Sequence, residues 1–225
     1  MKYLRKFATE AEYNAAEKSP TKNYVSLIAE IGSIKYDKGM PEGVYIQHID
    51  GKLYTTNKWS LGGFSNDKAN GVAVIDKVAS FVISKDGISD SMAWSSSIST
   101  IISGVFTTDD PDIAKTDYAG KANTEIIAKT VTGKAADSCI NYEFPNGQKG
   151  YLPALGEWAL AYQYKNDIIA TMELIGGTAL SLNSATYHSS TQKDAAMAWR
   201  LNWTTGEFTS IRKNYTGYVR PFTTL

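Results

Sequence analysis

The chain has 225 residues, 43% of them hydrophobic, and carries 23 basic against 23 acidic side chains. That is enough apolar matter for a sizeable core in one or two domains, and the balanced charge, with no basic stripe, argues against nucleic acid or an anionic membrane surface as a partner. A single cysteine, Cys139, rules out an internal disulfide framework and any multi-cysteine zinc site; no apolar run approaches the ~20 residues that span a bilayer, so no membrane insertion is expected.

In chain order, residues 1–42 suggest a small helix-plus-hairpin unit. "KYLRKF" suits a strand. Thr9, with Glu12 three residues on, is a capping-box signature that opens a helix over "EAEYNAAEK". "NYVSLIAEIGSIKY", broken at Gly32-Ser33, suits a hairpin, and "DKGMPEG" a linker. The opening is charged throughout and lacks an apolar stretch, so cytoplasmic synthesis without an ordinary signal peptide is expected. Attachment to a particle, or to another copy as a homo-oligomer, would suit this unit.

Residues 43–225 begin with short strands. "GVYIQHI" and "KLYTT" flank Asp50-Gly51, a strong hairpin signal, and "NGVAVID" and "ASFVIS" are further strand candidates. Asp110, Pro111 and Asp112 suit the N-cap and first two positions of a helix, which explains "TTDDPD" better than a calcium loop does. The spacing predicts helices over 117–131 and 155–175, the second closed by Gly176-Gly177. Strands and turns then run to Leu225. Strands, two helices and strands again predict an α+β domain, with end strands that could pair.

Little in the chain suggests catalysis. His48 and His188 sit in no metal-spaced cluster, and Cys139 has no histidine near it in sequence. The informative stretch is "YHSSTQKDAAMAWRLNWTTGEFTSIRKNYTGYVRPF", where bulky aromatics alternate with irregular polar letters. Period-two logic puts Trp199, Leu201 and Trp203 on one face of a strand and Ala198, Arg200, Asn202 and Thr204 on the other. After the turn at Gly206, Phe208 points inward and Glu207 and Thr209 outward. Exposing the aromatic face would forfeit ~1.5–3 kcal/mol per side chain, so it is anchored and the other face is presented.

"GYLPALGEWALAY" resembles the strand-to-helix segment of C-type lectin-like domains of the formylglycine-generating-enzyme type. The W-x-L-x-W-x-x-G-x-F pattern and "YVRPF" resemble the closing strands of those domains. Among them the chain is similar to variable proteins of diversity-generating retroelements from gut bacteria and their phages, through "GVYIQHIDGKLYT", "ANGVAV", "FVIS", "DYAGKANT" and the terminal "SST…W…VRPF". The resemblance implies a C-type lectin-like domain with two helices and short antiparallel strands. It also implies a binding surface rewritten by adenine-directed mutagenesis within about 187–217. Face and loop logic then selects His188, Lys193, Asp194, Arg200, Asn202, Thr204, Thr205, Glu207, Thr209, Ile211, Arg212, Asn214, Tyr215 and Thr216 as ligand-contacting positions. Trp199, Leu201, Trp203, Gly206, Phe208, Val219, Arg220 and Pro221 become scaffold. The resemblance further implies a non-enzymatic adhesin of a phage particle or bacterial cell surface, with a protein or glycan ligand and no metal or cofactor.

Three rivals remain. An oxidase of the formylglycine-generating type needs a cysteine pair, and this chain has one cysteine. A calcium-dependent lectin needs Glu-Pro-Asn and Trp-Asn-Asp triplets, for which "EFPNG" and "NWTTG" are poor substitutes. An undiversified tail or fibre adhesin also fits.

Overall fold

A computed structural model describes residues 40–88, 91–96, 99–130, 134–180 and 186–225. The expected unit over 1–42 lies outside these residues except for its last three. In chain order the elements are β1 (Gly43–His48), β2 (Leu53–Tyr54), α1 (Thr56–Gly62), β3 (Ala69–Ile75), β4 (Ser80–Ser84), β5 (Met92–Ala93), α2 (Pro111–Ala114), α3 (Gly120–Thr130) and α4 (Lys134–Asn141), followed by α5 (Leu155–Gln163), α6 (Lys165–Leu174), β6 (Thr186–Gln192), β7 (Met197–Asn202), β8 (Phe208–Arg212), β9 (Thr216–Gly217) and β10 (Phe222–Thr223). This is the expected α+β class.

The largest sheet has the order β10-β4-β3-β1-β2, antiparallel throughout. Its first and last strands share the sheet but are not neighbours, because β10 pairs with β4. The β1–β2 turn is the one expected: Gly51 lies at φ 83, and Asp50 Oδ1 accepts from the Lys52 N–H at 3.0 Å. All seven residues of β3 are buried, so both faces of the sheet are covered. Val72 and Val74 face a core shared with Trp158, Ile168 and Met172, while Ala73 and Ile75 face Tyr45, Leu53 and Phe144. A side chain at Gly71 would collide with the Ile83 carbonyl 2.3 Å away, so only glycine lets β3 and β4 approach this closely.

Helices are more numerous than the two expected. α2 starts as the sequence indicated, with Asp110 Oδ1 accepting from the N–H groups of Asp112 (2.8 Å) and Ile113 (3.2 Å). α1 and α4 are additional. The predicted helix over 155–175 breaks at Tyr164, whose φ of −97° and ψ of 17° leave helical geometry. The cause is tertiary. α5 packs on β6 and β7, α6 packs on β1 and β3, and one straight helix could not serve both sheets. The Tyr164 hydroxyl donates to Asp76 Oδ2 at 2.9 Å and pins the bend.

Trp158 joins these layers. It is 0% exposed, its ring lies 5.1 Å from Tyr187, 5.9 Å from Trp203 and 4.9 Å from Phe222, and its Nε1 donates to the His188 carbonyl at 3.1 Å. Arg220 fastens the C-terminus: it is buried and donates to the carbonyls of Ser84, Lys85 and Thr178.

Candidate ligand-binding surface

The polar stretch folds as the three-stranded sheet β6-β7-β8. Trp199, Leu201 and Trp203 lie on its inner face at 4%, 0% and 0% exposure. Trp199 Nε1 donates to the Thr108 carbonyl at 2.9 Å, and Trp203 meets Trp158 and Tyr162 edge-on. The β7–β8 turn closes at Gly206, φ 77, against the Tyr162 ring; a Cβ there would stand 2.5 Å from that ring. Phe208, opposite Leu201, is half-buried beneath the Lys115 ammonium, 5.1 Å from its ring centroid.

On the outer face Arg200 sits opposite Thr209, and its Nε donates to Thr209 Oγ1 at 3.0 Å. Partial burial lowers the pKa of the guanidinium, an effect the Glu207 carboxylate opposes. Thr204, Thr205, Glu207, Arg212, Asn214, Tyr215 and Thr216 are exposed, while Lys193, Asp194, Asn202, Thr209 and Ile211 are half-buried. Thus 204–207 form one end of the hairpin, 193–194 and 212–216 flank the other, and Arg200 and Thr209 lie between.

His188 departs from the expectation. It lies opposite Arg200 in register, on the face predicted to be open, yet it is 0% exposed. The two-stranded β5–β9 ribbon roofs it: His188 Nε2 is 3.0 Å from the Met92 carbonyl, and a Cβ at Gly217 would come within 2.8 Å of that nitrogen. Burial pushes the imidazole pKa down to about 4, so it is neutral and structural. Ala198, also predicted outward, is buried with Trp94 and Val219 for the same reason: this end of the sheet is covered on both faces.

Two other predicted contacts hold turns. Asp194 Oδ1 accepts from the N–H groups of Ala196 (2.7 Å) and Met197 (2.8 Å). Asn202 Oδ1 accepts from those of Thr204 (3.0 Å) and Thr205 (3.2 Å). Lys193 lies over the Trp199 ring at 5.4 Å.

Sequence reasoning missed Lys213 and Tyr218. Lys213 is 1% exposed; its ammonium donates to Gln192 Oε1 at 2.7 Å and to the Thr100 carbonyl at 3.2 Å, over the Trp94 ring at 4.9 Å. Burial brings its pKa down to about 8. Tyr218 is 39% exposed next to the surface, and alternation with inward Val219 could have identified it.

Beneath the surface lies a buried polar network. Asp117, 2% exposed, accepts from Thr191 Oγ1 (2.7 Å), Asn123 Nδ2 (2.8 Å) and the Ala119 N–H (2.9 Å). Ser189 Oγ donates to the Trp199 carbonyl at 2.8 Å. Glu157 accepts from the Tyr151 hydroxyl (2.9 Å) and the Ala154 N–H (2.7 Å), and burial drives its pKa up to about 8.

No family model and no curated protein matches the chain. Among solved structures it is similar to a fimbrial protein from Bacteroides ovatus, with a TM-score of 0.56 over 83% of this chain at 13% identity. At that identity the likeness is one of fold, and the chain spans about half of that protein's length, 49%.

Proposed function

We propose that this chain is a non-enzymatic, surface-displayed ligand-binding protein of C-type lectin-like fold. In this reading the β7–β8 hairpin and the 212–216 loop carry a surface diversified by a retroelement. The observation that carries the reading is the separation of letters within 197–217: Trp199, Leu201 and Trp203 are buried and Phe208 is half-buried, while Tyr215 and most intervening polar residues are exposed or half-buried. Fold similarity to a fimbrial protein supports an adhesin-like role on a phage particle or bacterial cell. The ligand is a protein or glycan on a cell surface, and the N-terminal unit provides attachment or self-association.

The rival chemistries have less support. Cys139 is buried, and burial pushes its thiol pKa well above the usual value, the opposite of an activated cysteine. In the "EFPNG" turn, Glu143 pairs with Lys149 at 2.8 Å and Asn146 bonds Gln148.

The test is a library randomised at Arg200, Thr204, Thr205, Glu207, Thr209, Ile211, Arg212, Asn214, Tyr215 and Thr216. Most members should melt within a few degrees of the parent while capturing different cell-surface proteins or glycans. If most members unfold, the polar letters are structural and the reading fails. For the retroelement itself, a near-copy of the final coding segment, differing only at adenines and next to a reverse transcriptase gene, is the expected genomic signature.

A further inference from the structure

The free edge of β8 points to the class of ligand. In the order β6-β7-β8, β8 pairs on one side only. The bonds from the Asn202 N–H to the Glu207 carbonyl (2.9 Å) and from the Lys213 N–H to the Ala196 carbonyl (2.8 Å) show which residues of this strand face β7. By period-two alternation Thr209 and Ile211 face it as well, and Phe208 and Ser210 turn their N–H and C=O groups outward. Among the described residues these outward groups of Phe208 and Ser210 have no partner.

Exposed edges are usually blunted by proline, lysine or a bulge. This edge reads Phe-Thr-Ser-Ile, regular in register, without charge or proline, between Glu207 and Arg212. It also runs through the middle of the surface described above, with Arg200 and Thr209 on the adjoining outer face.

We propose that the surface captures its partner by strand addition along β8, and that the partner is therefore a protein presenting an extended segment. A row of donor–acceptor pairs repeating every second residue, about 6.8 Å apart, is matched by another polypeptide backbone and by no regular feature of a glycan. Glu207 at one end and Arg212 at the other favour a segment with a basic residue facing the first and an acidic residue facing the second. The unpaired backbone supplies a constant part of the affinity, and the diversified side chains select the sequence. This inference rests on the hairpin being the binding surface.

The experiment selects a random heptapeptide library on the immobilised full chain, alongside an array of bacterial glycans. Ser210→Pro deletes an outward N–H and leaves the ladder to β7 intact. Selected peptides should bind this variant about tenfold more weakly, and N-methylation at alternate peptide residues should abolish binding to the unaltered protein, a readout that needs no protein variant. Bound peptide should protect the Phe208 and Ser210 amides from hydrogen exchange, with those of Thr209 and Ile211 already protected. Equal binding to S210P, with loss in R200A and Y215A, would overturn strand addition and leave the surface reading standing. Capture of glycans but no peptides would likewise overturn it. So would a dimer that S210P dissolves, which would assign the edge to a second copy.

Discussion

The burial of His188 makes a quantitative prediction about acid. Its pKa is about 4 in the fold against 6.5 ordinarily. Between these values the unfolded chain binds a proton that the folded chain refuses, so stability rises with pH across the window. The contribution is fully present above pH 6.5 and is lost progressively as pH falls to 4. A gap of 2.5 units corresponds to about 3 kcal/mol. Glu157 works against this: with a folded pKa of about 8 against 4.5 ordinarily, its contribution is full below 4.5 and is lost as pH rises to 8. The two nearly offset each other between 4.5 and 6.5, so the parent's pH curve alone is not diagnostic. His188→Phe isolates one term, because other groups titrate alike in parent and variant and cancel in the difference. Urea unfolding followed by tryptophan fluorescence at pH 7 and pH 4 gives that difference. At pH 7 the variant should be the less stable, having lost the contact of Nε2 with the Met92 carbonyl. At pH 4 the comparison should move in the variant's favour by about 3 kcal/mol. A gap of the same size at both pH values would show that His188 titrates normally and that the β5–β9 ribbon does not seal it.

Other expectations are simpler. Trp203→Ala should cost ~3–5 kcal/mol in the same assay, since a fully buried ring is lost between Trp158 and Tyr162. Glu157→Gln should flatten the decline in stability between pH 5 and pH 8 that the buried carboxyl imposes, read from unfolding midpoints across that range. Gly206→Ala should lower the melting temperature, because φ 77 disfavours any side chain and Tyr162 occupies the space a Cβ needs. Thr204→Ala and Tyr215→Ala, at exposed positions, should each stay within about 0.5 kcal/mol of the parent.

Elements whose signal is local were legible in the sequence. The Asp50-Gly51 turn, the Asp110-Pro111 helix start and the aromatic alternation of β7 all depend on neighbours a few residues apart, and all appear in the structure. What was missed depends on distant packing. Apolar residues recur at helical spacing from Trp158 to Tyr162 and from Ile168 to Ile175 and so read as one helix over 155–175; polar Lys165 and Asn166 interrupt that stripe where the chain bends at Tyr164 to serve two sheets. Alternation predicted which face of the sheet His188 and Ala198 occupy but carried no information about the roof above, which is built from residues 92–93 and 216–217. Lys213 looked like another polar surface letter because its partners, Gln192, Thr100 and Trp94, lie 21, 113 and 119 positions away.

Those distant contacts explain how such a surface could vary without unfolding. The sheet is held from below by groups at its His188–Thr191 run rather than by the exposed letters: Thr191 donates to Asp117, Ser189 to the Trp199 carbonyl, and the His188 carbonyl receives Trp158. The closing "VRPF" is held separately, by Arg220 on the carbonyls of Ser84 and Lys85. Because β7 lies between β6 and β8, its ladder bonds and buried indoles do not depend on the side chains at 204–205, 207, 209 or 214–216 for their partners, and should persist when these vary. Asp194 and Asn202 are exceptions, since each has a side-chain oxygen that accepts two turn N–H groups, whereas Thr205 Oγ1 accepts one, from Glu207 at 3.3 Å. Tolerance should therefore be uneven. Positions 204, 205, 207, 209 and 214–216 should accept most residues, whereas 194 and 202 should accept chiefly Asp, Asn, Ser and Thr, which can cap a turn with a side-chain oxygen. Sequencing the folded members of the randomised library, extended to both positions, measures this directly. Uniform tolerance at 194 and 202 would mean that the backbone geometry of the hairpin, rather than these oxygens, sets the turns.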